Sequence, residues 1–389
     1  MTTTGHIHWI GAGLASGPGL VSLASELGNV TVWDMDNKRA NMLRQQVQGG
    51  RNKLAVESLD LNDQASINNF KSQLEPGDII VSMLPAALHI TMANVALDAG
   101  THLVTSSYVD DAMADLDTAA KAKGLAFVNE VGLDPGIDHL FAHILVNAAH
   151  DAGALGKGYE VEFVSHCGGI PAAKTEFTYK FSWTPLGVLK ALTSPALRIK
   201  DGAEQVAEKV WQAVSEIEIA DEKFEVYPNR DSLPYIEEYG LEDETNLKTF
   251  VRGTLRQSGW KKAWTDIFAE VETGNDESLK SLSEKLLKNH SYAEGEEDRV
   301  VLYVALKIKD ENGGDIWSGS LALDEVGSGW QTAMARTVSL TVAEAAKAIL
   351  RGAFKPGVHA ALTDAAEAKI WLSGLKTAGV TMRAETVNI

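Results

Sequence analysis

Over residues 6–131 the chain alternates short β-rich apolar runs with stretches whose apolar residues recur every three or four positions. The runs fall at 6–10, 29–33, 54–59, 78–84, 102–106 and 126–131. Helical spacing occupies 17–28, 37–48, 63–74, 86–99 and 111–123 between them. Six strands alternating with five helices predict a Rossmann-type, doubly wound parallel α/β sheet with right-handed crossovers. We place this dinucleotide-binding domain at residues 1–138.

After Pro135 the rhythm changes. Segments 159–166 and 178–183 read as strands, and 201–214 reads as a helix. A second helical stretch covers 262–289, with a polar break at 274–277. Runs 299–309 and 316–324 read as a hairpin turning across 311–314. Together these predict an α+β substrate domain over 139–330, with helical insertions near 185–220 and 262–292. The Ala-rich amphipathic stretch 332–350 is a helix stopped by Gly352 and Pro356. It heads a C-terminal segment, 331–389, expected to pack back on the first domain. The acidic run 294–298 reads as a solvated loop.

Composition narrows the function. At 389 residues the chain is too long for one ordinary core. Lys and Arg number 35 against 53 Asp and Glu, a net charge of 35 − 53 = −18. Such a surface repels nucleic acid and anionic lipid, so no nucleic-acid or membrane partner is expected. The single cysteine, Cys167, rules out an intramolecular disulfide and a zinc site of several thiolates. No metal cluster is expected, and a reducing cytoplasm is the natural setting. No signal peptide and no membrane-spanning run is read. A homodimer is compatible with the sequence.

The first strand runs into Gly11-Ala12-Gly13-Leu14-Ala15-Ser16, a G-x-G-x-x-S turn. The first glycine permits the strand-to-helix turn, the second admits a pyrophosphate against the backbone, and a small third residue lets the helix pack closely. Alone, this could be an ordinary glycine-rich turn. Here it opens a helix and precedes a second strand ending in an acid, so Gly11, Ala12, Gly13, Leu14 and Ala15 are expected cofactor contacts. The acid is Asp34, 21 residues after Gly13. A carboxylate there accepts from the ribose 2′-hydroxyl of NAD and repels the 2′-phosphate of NADP. Lys38 and Arg39 follow and could instead meet a phosphate, so NAD is favoured and NADP admitted. Asp36 reads as a helix N-cap. Asp60, ending the third strand, is a further cofactor candidate beside a solvated-acid alternative.

Longer blocks carry a resemblance. Asn129-Glu130-Val131-Gly132-Leu133-Asp134-Pro135-Gly136-Ile137-Asp138-His139 is one. Others are Ser82-Met83-Leu84-Pro85, Thr105-Ser106-Ser107-Tyr108, Ser165-His166-Cys167-Gly168-Gly169-Ile170-Pro171 and Tyr179-Lys180-Phe181-Ser182-Trp183. Further on stand Tyr227-Pro228-Asn229-Arg230-Asp231-Ser232, Val251-Arg252-Gly253-Thr254-Leu255-Arg256 and Lys355-Pro356-Gly357-Val358-His359. In order and across nearly the whole chain, these resemble the L-glutamate-forming saccharopine dehydrogenase (saccharopine reductase) family. The resemblance implies NAD(P)-dependent oxidation of the secondary amine saccharopine to L-glutamate and 2-aminoadipate 6-semialdehyde, or the reverse. It implies a Rossmann domain joined to an α/β substrate domain with a helical insertion. Where the fungal members carry an arginine near the 2′-phosphate, this chain has Trp33-Asp34-Met35-Asp36, which again points to NAD.

The resemblance also nominates site residues. Leu84 and Pro85 would touch the cofactor. The substrate carries several carboxylates, and Arg230 and Arg252, with Gly253 and Thr254, would receive them, since a guanidinium grips a carboxylate through two parallel bonds. Arg256 reads as structural. Ser107 and Tyr108, after the fifth strand, and Asp134, after the sixth, would also contact substrate. Asp134 is a candidate for proton transfer, against a turn acid bonded to its own backbone. His139 could shuttle protons near neutral pH but reads more simply as a core or capping residue, Asp138 reads as a helix N-cap, and Cys167 as a buried inert thiol beside a participating one. Two other functions stay open: a carboxynorspermidine-type or other carboxyalkyl-amine reductase, and a non-catalytic NAD-binding protein.

Overall fold

The computed structural model of the chain describes residues 5–181 and 185–387. It resolves into two compact units, residues 1–140 with 335–380, and residues 141–334 with 381–389.

The first unit holds a parallel sheet. Its strands are β1 (Ile7–Ile10), β2 (Val30–Asp34), β3 (Leu54–Ser58), β4 (Ile79–Ser82), β5 (His102–Thr105) and β6 (Ala126–Asn129). Its helices include α1 (Gly17–Leu27), α2 (Asn37–Arg44), α3 (Gln64–Lys71), α4 (His89–Ala99), α5 (Asp111–Ala114) and α6 (Asp117–Lys123). The spatial order runs β6-β5-β4-β1-β2-β3, so the chain reverses direction across the sheet between β1 and β4. That switch point, at the carboxyl edge, is where ligands of open parallel sheets bind. Both faces of β1, β2 and β4 are covered, and these strands are accordingly almost continuous apolar runs. Trp33 meets Phe70 edge-on at 4.9 Å and donates its indole hydrogen to His8 Nδ1 at 3.1 Å. His8 reaches Asp78 at 3.2 Å, so the polar atoms carried into this core are bonded.

Two differences from the sequence reading stand out here. The single helix expected over 111–123 is two, because the chain turns at Asp115 and Leu116. A seventh strand, Gly357–Ala360, pairs in parallel with β6, where only a packed-back segment was expected. The helix Ala333–Arg351 belongs to this unit from Ala335 onward. It touches α1 where the Gly19 amide donates to Ser339 Oγ at 2.8 Å.

The second unit is built on a mixed sheet. Its strands are β7 (Glu160–Pro171), β8 (Ala196–Lys200), β9 (Ala203–Ala207), β10 (Ser215–Ile219), β11 (Glu222–Pro228), β12 (Leu247–Gln257), β13 (Asp298–Lys309) and β14 (Asp315–Gly327). The order is β10-β11-β12-β7-β13-β14. β7 and β12 pair in parallel, and β13 and β14 form the expected hairpin. The last strand, Met382–Glu385, pairs with β14, so the C-terminal segment does not return whole to the first unit. A cluster of large aromatic residues, among them Trp211, Trp260, Trp264 and Phe268, is buried under the helices of 260–290.

Here the reading of 201–214 as a helix is overturned. β8 and β9 form a hairpin whose turn is Asp201-Gly202, both at positive φ (55° and 77°), and only Val210–Ala213 adopts a short 3-10 turn. Asp-Gly between two short runs is a strong two-residue hairpin signal, and it outweighs the helical spacing of the apolar residues. The insertion near 185–220 is therefore helical mainly over Pro185–Thr193. The strand expected over 178–183 is a loop as far as Phe181, which makes one isolated bridge to Ser291. Its remainder, with Ser182 and Trp183, lies outside the described residues.

Candidate functional site

Within the first unit the turn after β1 is closed by its own serine. Gly11 sits at φ 97° and its amide donates to the Trp33 carbonyl at 2.8 Å. Ser16, almost fully buried, donates from Oγ to the Gly11 carbonyl at 2.8 Å and from its amide to the Gly13 carbonyl at 3.1 Å. Serine thus does more than stay small at the third position: it staples the loop. A Cβ built on Gly13 would meet nothing within 4 Å, and Leu14 is 68% exposed. The loop backbone is open to a ligand. α1 begins without a side-chain cap or an acidic residue in its first turn. Uncapped amides and an unopposed helix dipole suit a pyrophosphate, so the residues present fit a dinucleotide.

Asp34 is tied into the same loop. Its Oδ2 accepts from the Ala12 amide at 2.6 Å and its Oδ1 from the Asp36 amide at 2.9 Å. Asp36 caps α2 through the Lys38 amide. Arg39 donates from Nε to the Gly13 carbonyl at 3.2 Å, and burial lowers its pKa. Asp60 accepts from the backbone and side-chain nitrogens of Asn62 at 2.8 and 3.2 Å, closing the turn after β3. Leu84 is half-buried against the core and Pro85 is exposed at the start of the next turn.

Further along the carboxyl edge, Ser107, Tyr108 and Asp134 are each half-buried. The Tyr108 hydroxyl lies 3.5 Å from Asp134 Oδ1. Glu130, at φ 58°, knits the loops that carry them. Its amide donates to the Ser107 carbonyl at 3.0 Å, and its Oε1 accepts from the Val109 amide at 3.1 Å. Its Oε2 meets His139 Nε2 at 3.1 Å, which puts His139 in a buried structural pair. Asp138 Oδ1 accepts from the Gly136 amide at 2.6 Å, one residue outside the helix Ile137–Asp151. His89, which the sequence reading did not single out, joins Ser82, Thr105 and Ser107 in one hydrogen-bonded group. Burial pushes its pKa down to about 4, with Asp110 opposing.

In the second unit the cations and the R-G-T block are assembled by strand pairing. β11 and β12 place Tyr227 opposite Thr254 and Pro228 opposite Gly253. The Asn229 amide then donates to the Arg252 carbonyl at 2.9 Å, and the following Arg230, at φ 56°, accepts at its carbonyl from the Leu197 amide at 2.9 Å. On the other side β7 sets His166 against Gly253 and Cys167 against Thr254. A Cβ on Gly253 would stand 2.6 Å from His166 Nδ1, which explains the glycine between two functional candidates. Arg252 is 4% exposed and its guanidinium stacks 3.9 Å above the Tyr235 ring. Arg256 is equally enclosed, over Tyr179 at 4.8 Å and Tyr227 at 5.5 Å. His166 is buried, and burial, aided by the nearby Arg198, lowers its pKa to about 4. Cys167 is buried.

Among the described residues no group of three or more His, Cys, Asp or Glu side chains is arranged to hold a metal ion. Among the described residues no helix is long and apolar enough to cross a membrane.

Comparison with known proteins shows the family of the chain. The family described as "Saccharopine dehydrogenase NADP binding domain" matches residues 7–128, and "Saccharopine dehydrogenase C-terminal domain" matches 132–380. The chain belongs to the saccharopine dehydrogenase family. Among family members, saccharopine dehydrogenase [NADP(+), L-glutamate-forming] of Pyricularia oryzae is 31% identical over 377 residues, covering 76% of this chain and 80% of that protein. The mitochondrial alpha-aminoadipic semialdehyde synthase of Rattus norvegicus is 32% identical over 68% of this chain, which spans 28% of that longer protein. The apo saccharopine dehydrogenase (L-Glu forming) of Saccharomyces cerevisiae superposes with a TM-score of 0.81 at 26% identity, covering 99% of this chain and 100% of its own. The first unit is thus a nicotinamide-dinucleotide-binding domain of this family.

Proposed function

We propose that the protein is an L-glutamate-forming saccharopine dehydrogenase. It oxidises saccharopine, with water and a nicotinamide dinucleotide, to L-glutamate and 2-aminoadipate 6-semialdehyde, or runs the reverse condensation. The observation that carries this reading is the backbone bond from Asn229, just before Arg230, to the buried Arg252 of β12, in a chain of net charge −18. Saccharopine bears three carboxylates, and an acidic protein needs local cations to hold such an anion.

The dinucleotide, held at Gly11, Ala12, Gly13, Leu14 and Ala15 and flanked by Leu84 and Pro85, supplies the hydride acceptor. The chain's own residues do the rest. Arg230 and Arg252 grip carboxylates, with Gly253 and Thr254 shaping their approach. Ser107 and Tyr108 donate hydrogen bonds. Asp134 takes the proton from the secondary amine and passes it to solvent, then takes one from the water that adds to the iminium carbon. It returns that second proton to the nitrogen, and as the C–N bond breaks the hydroxyl proton of the adduct passes to the departing amine, leaving the aldehyde on one fragment and the amine on glutamate.

For the cofactor we propose NAD in preference to NADP. Asp34 has lone pairs left after its two backbone bonds, enough for a ribose hydroxyl, and its charge opposes a 2′-phosphate. The fungal relatives are named as NADP(+) enzymes, and Arg39 is the residue through which this chain would accept that form. Asp60, engaged by Asn62, is left as a contact to the adenine side. The small, water-soluble substrates and the lone Cys167 suit a cytoplasmic setting.

A carboxynorspermidine-type reductase is the second reading. Its polyamine substrate would need acids where Arg230 and Arg252 stand. Steady-state turnover on a panel of carboxyalkyl amines, with each dinucleotide, separates the two: saccharopine should have the highest kcat/KM, and a faster polyamine substrate would overturn the assignment.

A further inference from the structure

His89 is the first residue of α4, and Ser82 and Thr105 end the neighbouring strands β4 and β5 in register with each other. The imidazole, 5% exposed, lies among three hydroxyls. Nδ1 is 2.9 Å from Ser82 Oγ, and Nε2 is 2.8 Å from Ser107 Oγ and 3.0 Å from Thr105 Oγ1. Burial keeps the ring neutral at working pH, so it offers one N–H and one lone pair. If Nε2 held the lone pair, the Thr105 and Ser107 hydrogens would compete for it, and one oxygen would face the nitrogen with no hydrogen between. If Nε2 carries the hydrogen, it can be shared by both oxygens, and Nδ1 accepts from Ser82. Thr105 Oγ1 also accepts from the Ser107 amide at 3.3 Å, which holds the two residues together. Only the second arrangement gives both ring nitrogens a partner without setting an oxygen against a bare lone pair, and it leaves the Ser107 hydroxyl hydrogen unspent within this group.

We propose that His89, protonated at Nε2, is a positioning residue that makes Ser107 a hydrogen-bond donor to a substrate carboxylate. This rests on the reading of Ser107 as a substrate contact. His89 does not itself touch the substrate; it sets the direction of the Ser107 hydroxyl and, through Ser82 and Thr105, anchors that hydroxyl to two strand ends.

The test is a double-mutant cycle on the full chain, read as KM for saccharopine and dissociation constant for the dinucleotide. His89→Leu should raise KM about tenfold, the effect of one lost charged hydrogen bond. Dinucleotide affinity should stay within about twofold of wild type in this variant, well below that tenfold effect. His89→Gln, which can still donate towards Ser107, should restore most of the loss. In a Ser107→Ala background, His89→Leu should add nothing. If His89→Leu raises KM by the same factor in both backgrounds, the proposal is overturned while the substrate site stands. If Ser107→Ala alone leaves KM unchanged, the assignment of Ser107 to the site fails, and this proposal with it. Should His89→Leu not fold, His89→Asn replaces it with the same expectations, since it keeps the Ser82 side of the network and loses the donor to Ser107.

Discussion

The carboxylate of Asp34 accepts a hydrogen bond from the amide of Ala12 at 2.6 Å. The end of β2 is thereby locked to the glycine turn after β1, and the negative charge is held beside that turn, where we propose the ribose binds. Asp34→Arg should lower NAD affinity at least about tenfold, since a charged hydrogen bond is worth about 1.5–3 kcal/mol, and should raise the relative affinity for NADP. Calorimetric titration with both dinucleotides reads the ratio. An unchanged ratio would remove Asp34 from the ribose.

Arg230→Ala should raise the KM for saccharopine about tenfold or more, by the same charged-contact argument. Arg252 is buried over Tyr235, so truncating it would also cost packing. Arg252→Lys separates the two: the charge stays, while the planar fork and its stacking go. We expect a higher KM with nearly unaltered dinucleotide affinity. Initial-rate kinetics at saturating dinucleotide check both variants, and an unaltered KM in Arg230→Ala would take that residue out of the substrate site.

Much of this was written in the sequence in forms that short-range physics can read. The first six strands follow from apolar runs covered on both faces, and the cradle follows from Gly11, Gly13 and Asp34 at their spacing. Elements closed by long-range pairing were not legible. The strand Gly357–Ala360 is four residues long and becomes a strand only because β6 offers it an edge. The Asp201-Gly202 hairpin was legible in principle, but apolar residues at helical spacing masked it. Among the candidate residues, the motif blocks named Ser107, Asp134, Arg230 and Arg252, whereas no local pattern marks His89. Its partners Ser82, Thr105 and Ser107 come from three segments, and only the fold makes them neighbours.

Gly136→Ala should break the turn that carries Asp134. Gly136 sits at φ 147°, and a Cβ there would stand 2.1 Å from the Gly132 carbonyl oxygen. Backbone strain and overpacking of this kind cost about 1–3 kcal/mol each. The expected outcome is a lower Tm together with a loss of kcat larger than the fall in folded fraction. A variant with full activity would mean that the turn does not position Asp134 for catalysis.

Acid should destabilise the protein between neutrality and about pH 4. His89 and His166 both have folded pKa values of about 4, lowered from 6.5 mainly by burial. The unfolded chain therefore binds protons that the native state excludes. The stability linked to these groups is complete above 6.5 and is lost as pH falls towards 4. Within that window each contributes a slope of about 1.4 kcal/mol per pH unit. Denaturant melts across the range should show the decline, and His89→Gln and His166→Gln should each flatten it. An unchanged slope in both variants would show that other groups govern the acid limb.

The central claim is tested most directly by product analysis. Purified protein is incubated with saccharopine and either dinucleotide, and the reduced nicotinamide formed is compared with the L-glutamate released. The account predicts that the two appear in equal amounts, faster with NAD than with NADP, and only when saccharopine is present. Saccharopine left intact with both dinucleotides would contradict it.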